Sequence, residues 1–345
     1  MISRRMKPRS TASMACCWII LIATGVQSCG AESFVTFTER SGMVTVKAGV
    51  APLAIYVYQD PQISRPYFKD LCAPGGVQVT RTHPPREGVD PTDHASMHPG
   101  LWLAFGDISG VDFWRNKARV EHVKFVKQPY VEDSKAGFSV HNRYRDDEKI
   151  VCEEICEYTF LVRPAGYLIL WDSVFSSDDS AFYFGDQEEM GLGVRLATPI
   201  MVKRGRGGRI LDNEGRRNEK GIWGKQALWC DYSGWLDDVF AGVTIMPSPS
   251  NVRPCRWHTR DYGFMAANPF GREVFGAGPP SKLPVEAGQP FRLGFGILIH
   301  AGNGQDRVDF QAAYQDYLKR ATPTPGPWSR LGGRTVRRGT DNIDT

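Results

Sequence analysis

Between residues 34 and 300 the chain repeatedly forms short runs dense in β-branched and aromatic residues, with glycine, proline, asparagine and aspartate between them. The clearest runs are Phe34 to Phe37, Val44 to Val46, Leu53 to Tyr58, Val120 to Val126, Tyr158 to Val162, Tyr167 to Val174, Val239 to Met246 and Leu293 to His300. Such residues suit a pleated, half-buried surface, and the turn residues around them end each run. Strands that follow one another without intervening helices pair antiparallel and close into a sandwich, not into the parallel sheet of an alternating βαβ chain. The expected fold is therefore all-β, a large antiparallel β-sandwich of supersandwich type with long loops. One late helix is expected at about Asp306 to Leu318, with Val308, Ala312 and Leu318 or neighbouring aromatics facing the core. The 36 glycines and 23 prolines fit a turn-rich chain. There is no internal repeat, phosphate-binding glycine loop or heptad.

The two ends read differently from the body. Arg4, Arg5, Lys7 and Arg9 precede the apolar run Ala15 to Ala23, followed by small residues, which is the pattern of a secretory signal over residues 1–31. The run is too short to span a bilayer comfortably. Val26-Gln27-Ser28-Cys29 resembles a lipobox, so lipidation at Cys29 competes with signal cleavage near Ala31. Residues 322–345 are rich in Pro, Gly, Thr and Arg with little to bury and are expected to be a disordered tail. Residues 32–321 are then one domain, since β-sandwiches often exceed the usual domain length. The two ends hold more than the whole formal charge of +4 and leave the body near −2, so no nucleic-acid surface is expected. The expected location is exported, in the periplasm or as an outer-membrane lipoprotein, with membrane contact only through a lipid on Cys29.

Cysteine usage points to no disulfide framework. Outside the signal and Cys29 the chain has Cys72, Cys152, Cys156, Cys230 and Cys255, an odd number. Cys152 and Cys156 are too far apart along a strand for a disulfide; they would bind metal only if the backbone turned there, and otherwise they are buried apolar thiols.

Three polar clusters carry the candidate chemistry. Asp93-His94-Ala95-Ser96-Met97-His98-Pro99-Gly100-Leu101-Trp102 puts a carboxylate and two imidazoles within six residues, in a chain with seven histidines. Imidazole exchanges protons near neutral pH, and tryptophan beside polar groups is common in pocket walls. In Asp186 to Arg195, strand alternation sends Glu188 and Glu189 to opposite faces, so only one can enter a given pocket, where Arg195 could bind an anionic group. The plainer alternative is a solvated turn with a structural ion pair. His258, Arg260, Asp261 and Tyr262, followed by Asn268-Pro269-Phe270-Gly271, supply donors and acceptors for hydroxyls, although Arg260 and Asp261 could equally fix a loop.

Further segments add to this set. Trp223-Gly224-Lys225 and Trp229-Cys230-Asp231-Tyr232 mix indoles with charge as sugar-binding surfaces do, and Arg65 and Arg81 supply cations on either side of the turn at Gly75-Gly76. His300, at the end of an apolar strand, reads as a satisfied core histidine. His94 and His98 have the i,i+4 spacing of metal ligands on a helix, but Pro91 and Pro99-Gly100 argue for an irregular loop. A third ligand from His258 or Glu188 would be needed to complete an iron or zinc set. No metal or other cofactor is assigned.

Arg65-Pro66-Tyr67-Phe68, the Asp93 to Trp114 segment, Gln187 to Gly193, and Arg260-Asp261-Tyr262-Gly263 with Asn268-Pro269-Phe270-Gly271 resemble a secreted bacterial family labelled "methane oxygenase PmoA", over roughly residues 40–320. That label implies a metal-dependent oxygenase, whereas a membrane-embedded subunit would need several spanning helices that this chain lacks. The His-rich turn before Gly-Leu-Trp is also similar to aldose epimerases of the galactose mutarotase class. That likeness implies a sugar bound on a broad sheet face, a histidine protonating the ring oxygen and a glutamate taking the anomeric proton. His94 or His98 matches the histidine; the late glutamate of that class has no counterpart here, which leaves Glu188 or Glu189 as the acid.

The leading expectation is a secreted carbohydrate-active enzyme, an epimerase, lyase or hydrolase, using His/Glu acid-base chemistry. Its proton-exchanging residues would be His94, His98, Glu188, Glu189 and His258. Its substrate-binding residues would be Arg81, Asp93, Trp102, Arg195, Trp223, Lys225, Asp231, Arg260, Asp261 and Tyr262. The alternatives are a non-catalytic carbohydrate-binding or surface module and the metal-dependent oxygenase of the family label.

Overall fold

The computed structural model describes residues 35–132, 135–304 and 308–321. The signal and tail expected at the two ends, with Cys29, lie outside the described residues. Two eight-stranded antiparallel sheets make up the body. The first runs, in spatial order, Val35–Arg40, Met43–Ala48, Ala51–Val57, Tyr67–Lys69, Leu101–Phe105, Met190–Arg195, Phe264–Asn268 and Arg256–Arg260. The second runs Arg209–Asp212, Cys230–Leu236, Val239–Pro247, Phe291–Gly302, Gly166–Ser176, Lys149–Arg163, Lys135–Asp146 and Arg119–Glu132.

Each of the eight runs expected from the sequence falls on a strand, Phe34 lying outside the described residues and Tyr58 just past its strand, and the sandwich is all-β as expected. Several strands carry a weaker sequence signal because they mix glycine, alanine or charged residues with the apolar ones. These include Leu101–Phe105, Arg256–Arg260 and Phe264–Asn268, which form the centre and one edge of the first sheet.

The core lies between the sheets and follows strict alternation. From the first sheet it takes Leu101, Leu103, Phe105, Met190, Leu192, Val194, Met265, Ala267 and Trp257; from the second it takes Phe138, Val140, Tyr158, Phe160, Ile169, Trp171, Ile297 and Ile299. The residues between these point outward. On the first sheet they form a second apolar cluster with Trp102, Ala104, Phe264 and Ala266, joined by Trp114 from the following loop. This outward cluster carries the candidate site.

The outer face of the second sheet is covered by the C-terminal helix Phe310–Arg320. Asp309 caps it, accepting from the Ala312 N–H at 2.9 Å. Its inward residues are Phe310, Tyr314 and Tyr317, while Ala312, expected inside, is exposed. The aromatic stripe wins because it removes far more apolar area from water than an alanine can. At Gly296 a Cβ would come within 2.5 Å of the Tyr317 ring, so glycine lets the helix approach the sheet. No helix among the described residues is long and apolar enough to cross a membrane.

The five cysteines among the described residues are free and buried. Lys149–Arg163 continues as a strand through Cys152 and Cys156, and burial pushes both thiols well up. These are the apolar thiols of the plainer sequence reading.

Candidate functional site

Strand register sets the site. Trp102 pairs with Gly193, Gly193 with Ala266, and Ala266 with His258, so these four form one row across the outer face. In the next row Arg195 pairs with Phe264 and Phe264 with Arg260. The two small residues between Trp102 and His258 leave a hollow that large rings fill. A Cβ on Gly193 would lie 2.8 Å from Trp102 and 3.1 Å from Trp114, so glycine is required for the indole to lie over the strand.

Phe264 joins the first and third sequence clusters. Its ring stacks on His98 at 4.8 Å and meets His258 edge-on at 4.7 Å, so a single phenyl ring separates the two imidazoles. His98 also stacks on Trp102 at 5.0 Å, and His94 stacks on His98 at 4.9 Å. Sequence reasoning did not select Phe264. The available signal was its alternation with Tyr262, since i and i+2 share a strand face.

At one end of this array Glu188 is the hub. Its Oε1 accepts from Trp223 Nε1 at 2.7 Å and from Arg260 Nη2 at 2.6 Å, and lies 3.3 Å from His258 Nε2. Its Oε2 accepts no hydrogen bond from any described residue, and the side chain is 26% exposed. The Glu188 backbone is held as well: its carbonyl accepts from Asn268 Nδ2 at 3.1 Å and lies 3.2 Å from His258 Nδ1. Burial raises the Glu188 carboxyl, but His258, the Trp223 N–H and Arg260 outweigh it and hold it below its ordinary value. Burial pushes His258 down to about 4, and Arg260 adds to this against the pull of Glu188. At neutral pH the result is an ionised carboxylate beside a neutral imidazole, with Arg260 as the countercharge.

Glu189 points elsewhere: both acids sit in the bend before the strand Met190–Arg195, not in the strand expected there. Its Oε2 takes Arg115 Nη2, which belongs to an ion pair with Asp112. Expected among the proton-exchanging groups, Glu189 instead forms a structural ion pair apart from Glu188.

At the other end of the array the loop carrying His94 and His98 is tied down by arginines. Arg81 donates to the carbonyls of Pro91, Asp93 and His98 at 2.8–3.0 Å, and Arg65 donates to those of Trp114 and Met97. Arg81, expected to bind substrate, spends both terminal nitrogens on this loop and is only 2% exposed. His94 has φ +52°, an uncommon conformation for a non-glycine residue, and places its Nδ1 3.1 Å from Asp93 Oδ2. The other oxygen of Asp93 accepts from Arg195 Nη2 at 3.0 Å. Burial raises Asp93, and Arg195, His94 and Arg81 together bring it below its ordinary value. Burial pushes His98 well down, helped by the Arg195 charge, so its imidazole is neutral. Arg195 is fully buried with its guanidinium 4.7 Å above the Tyr262 ring. Arg195 Nε and Nη1, His98 Nδ1, Trp102 Nε1 and Arg65 Nε have no hydrogen-bond partner within the described protein.

Of the remaining expected residues, Asp261 borders the site through Glu219, whose Oε1 lies 3.5 Å from Arg260 Nη1, and Lys225 and Asp231 make no contact with it among the described residues. Asp261 accepts from the Glu219 N–H at 2.9 Å while Glu219 Oε2 accepts from the Asp261 N–H at 3.0 Å, a reciprocal lock on the short helix Asn218–Ile222. Lys225 is exposed and makes only main-chain contacts among the described residues. Asp231 lies on the second sheet, buried, and bonds His300 Nε2 at 2.8 Å, Thr244 Oγ1 and Ser233 Oγ. It is a buried acid that pairs one ring nitrogen of His300, whose Nδ1 has no partner among the described residues, so the histidine expected to be satisfied is only half so. Among the described residues no group of three or more His, Cys, Asp or Glu is placed to hold a metal ion. His94 and His98 meet face to face, 22° apart in plane.

The chain has distant structural similarity to carbohydrate-active proteins. It aligns with a galactose mutarotase-like protein from Clostridium acetobutylicum at a TM-score of 0.40 and 9% identity, covering 79% of this chain and 99% of that one. A galactose mutarotase related enzyme from Lactobacillus acidophilus aligns at 0.28 and 12%, covering 80% and 99%. The galactosidase domain of an alpha-galactosidase-sucrose kinase aligns at 0.38 and 9%, covering 78% of this chain and 42% of its own, so the chain spans under half of that protein. No protein of curated function matches the sequence. The sequence model of a family of unknown function, DUF6807, matches residues 43–315, nearly the whole described body, and the chain belongs to that family.

Proposed function

We propose that this protein binds a carbohydrate on the outer face of its first sheet and acts on it by proton transfer, with Glu188 as the base. The observation that carries the reading is the Glu188 carboxylate, held ionised through one oxygen by Trp223, Arg260 and His258 while its other oxygen is unengaged. A carboxylate so positioned accepts a proton from a sugar hydroxyl, and the neutral imidazole of His258 on the same group can take that proton on. The O–H bond of the sugar breaks, its proton passes to Glu188, and a second group returns a proton to the oxygen that leaves the anomeric carbon. We assign that return to His94, which is half-exposed with its Nδ1 3.1 Å from Asp93 Oδ2. Trp223 and Tyr262, both partly exposed, supply ring faces for the apolar side of a sugar. The basic residues and apolar run before Ala23 support export as part of the same proposal.

The test is a product search by proton NMR over reducing monosaccharides and oligosaccharides, with wild type and Glu188→Gln in parallel. The expected result is turnover that falls by about 10²–10⁴-fold in the variant. Full turnover by Glu188→Gln removes the role given to Glu188. Saturable sugar binding with no product after long incubation replaces the enzyme by a binding module.

A further inference from the structure

Two residues before His258 on the same strand face, Arg256 opens onto a separate cavity of about 300 Å³, lined by Gln226, Arg253, Pro254, Arg256, Gly271 and Arg272. Half of its lining residues are arginines and none is acidic. Arg253 Nη1 donates to Ser281 Oγ at 2.9 Å and Phe270 O at 3.4 Å, and Arg256 Nη1 to Gly224 O at 2.8 Å. The Arg272 guanidinium donates to no described residue and lies against Gly278, where a Cβ would come within 2.6 Å of Nη2. None of the three forms an ion pair with a described carboxylate.

The acid that acts on Arg253 is already engaged. Asp186 accepts from the backbone N–H groups of Arg272, Glu273 and Ser281 at 2.7–3.1 Å, so its oxygens order the loop that brings Arg272 to the cavity. Burial and the Arg272 charge hold Arg253 below the usual arginine value, with Asp186 pulling the other way. Guanidinium forks match oxyanions in geometry as well as charge, and three forks offer more donors than the two oxygens of a carboxylate can use.

We propose that this cavity binds a tetrahedral oxyanion, a sulfate or phosphate group, with Arg253, Arg256 and Arg272 as its donors. The pocket is linked to the Glu188 group by two short connections. Arg256 bonds the carbonyl of Gly224, next to Trp223, which holds Glu188. The Gly271 N–H donates to Asn268 Oδ1, and Asn268 Nδ2 donates to the carbonyls of Gln187 and Glu188. On the carbohydrate reading, the ligand is then a sugar ester of sulfate or phosphate whose anion occupies the arginine cavity. The cavity's affinity for the anion itself does not depend on that reading.

The test is isothermal titration at low ionic strength with sodium sulfate, sodium phosphate and, as a carboxylate control, sodium acetate. Wild type is expected to bind sulfate or phosphate at one site and acetate at least tenfold more weakly. Arg272→Gln removes no intramolecular bond of that side chain and is expected to lose at least tenfold in affinity, with an unchanged melting temperature. On wild type, sulfate is expected to protect Arg253, Arg256 and Arg272 from phenylglyoxal in peptide mass maps, which needs no variant. A monosaccharide sulfate compared with a monosaccharide phosphate identifies the source of the anion by the tighter binder. Absence of saturable binding of both inorganic anions, equal binding of acetate, or undiminished binding by Arg272→Gln overturns the proposal. Anion binding shared by wild type and Glu188→Gln without binding or turnover of any sugar keeps the arginine pocket and removes the carbohydrate reading.

Discussion

His258 and Glu188, seventy residues apart in the chain, meet twice: Nδ1 faces the Glu188 carbonyl at 3.2 Å and Nε2 faces its carboxylate at 3.3 Å. With Nδ1–H donating to the carbonyl, the ring is fixed in orientation and a single exchangeable proton can sit between Nε2 and Oε1. Glu189, its neighbour in sequence, makes neither contact. Glu189→Gln is therefore expected to keep turnover near wild type and to cost no more than about 1 kcal/mol of stability, as for an exposed ion pair. Side-by-side rates and urea midpoints for Glu188→Gln and Glu189→Gln check this, and equal losses of turnover would contradict it.

Stability is expected to fall as the solution is acidified from about pH 6.5 to about pH 4. The unfolded chain takes up histidine protons near the ordinary value of 6.5, whereas the folded chain resists until about 4 at His258 and also holds His98 well down. In that window the unfolded state binds more protons, so stability is complete above it and lost through it, by about 1.4 kcal/mol for each pKa unit of depression. Glu188, held below its ordinary value, loses its contribution only at still lower pH. Urea midpoints of wild type and His258→Gln at several pH values measure the slope; an unchanged slope in the variant would show that the fold does not resist the His258 imidazole.

Gly193→Ala is expected to destabilise the protein by about 1–3 kcal/mol, since the added methyl meets two indoles that pack on each other at 5.4 Å. Denaturation together with the near-ultraviolet signal of the tryptophans reads the displacement. A neutral result would mean that the hollow between Trp102 and His258 is looser than the distances imply.

Arg81→Ala leaves the carbonyls of Pro91, Asp93 and His98 without their donor. Each lost partner is expected to cost about 1–3 kcal/mol where the carbonyl stays buried, and the loop from residue 84 to 99 should become sensitive to limited proteolysis. Arg81→Lys is not expected to rescue it, because an ammonium cannot reproduce the planar fork. Unchanged proteolysis in both variants would place the loop under other control.

Asp231→Asn is expected to cost about 3–5 kcal/mol and to leave sugar binding unchanged, because the carboxylate is fully buried against His300 on the opposite sheet. Thermal melting and a binding titration separate the two effects. Weaker binding by a well-folded variant would return Asp231 to the site.

Local chemistry alone determined much of this architecture. The β-branched and aromatic runs became strands, the turn residues ended them, and the late helix formed close to where its pattern lies, shifted toward the aromatic residues that cover most surface. Glu188 and Glu189 diverge in the bend before Met190–Arg195, so the turn and not strand alternation separated them. Which carboxylate meets which base was not local. Strand register put Trp102, Gly193, Ala266 and His258 in one row, and Phe264, in a segment too alanine-rich to stand out, joined clusters that are far apart in the chain. Arg253 and Arg272 share a cavity only because Asp186 orders a distant loop, and Asp231, with the same composition around it as a sugar site, went to the opposite sheet. A side chain's type and its neighbours in sequence decide whether it can be buried and on which face of its own strand. Its partners depend on pairings across the sheets, where a buried charge is stable only beside groups that compensate it.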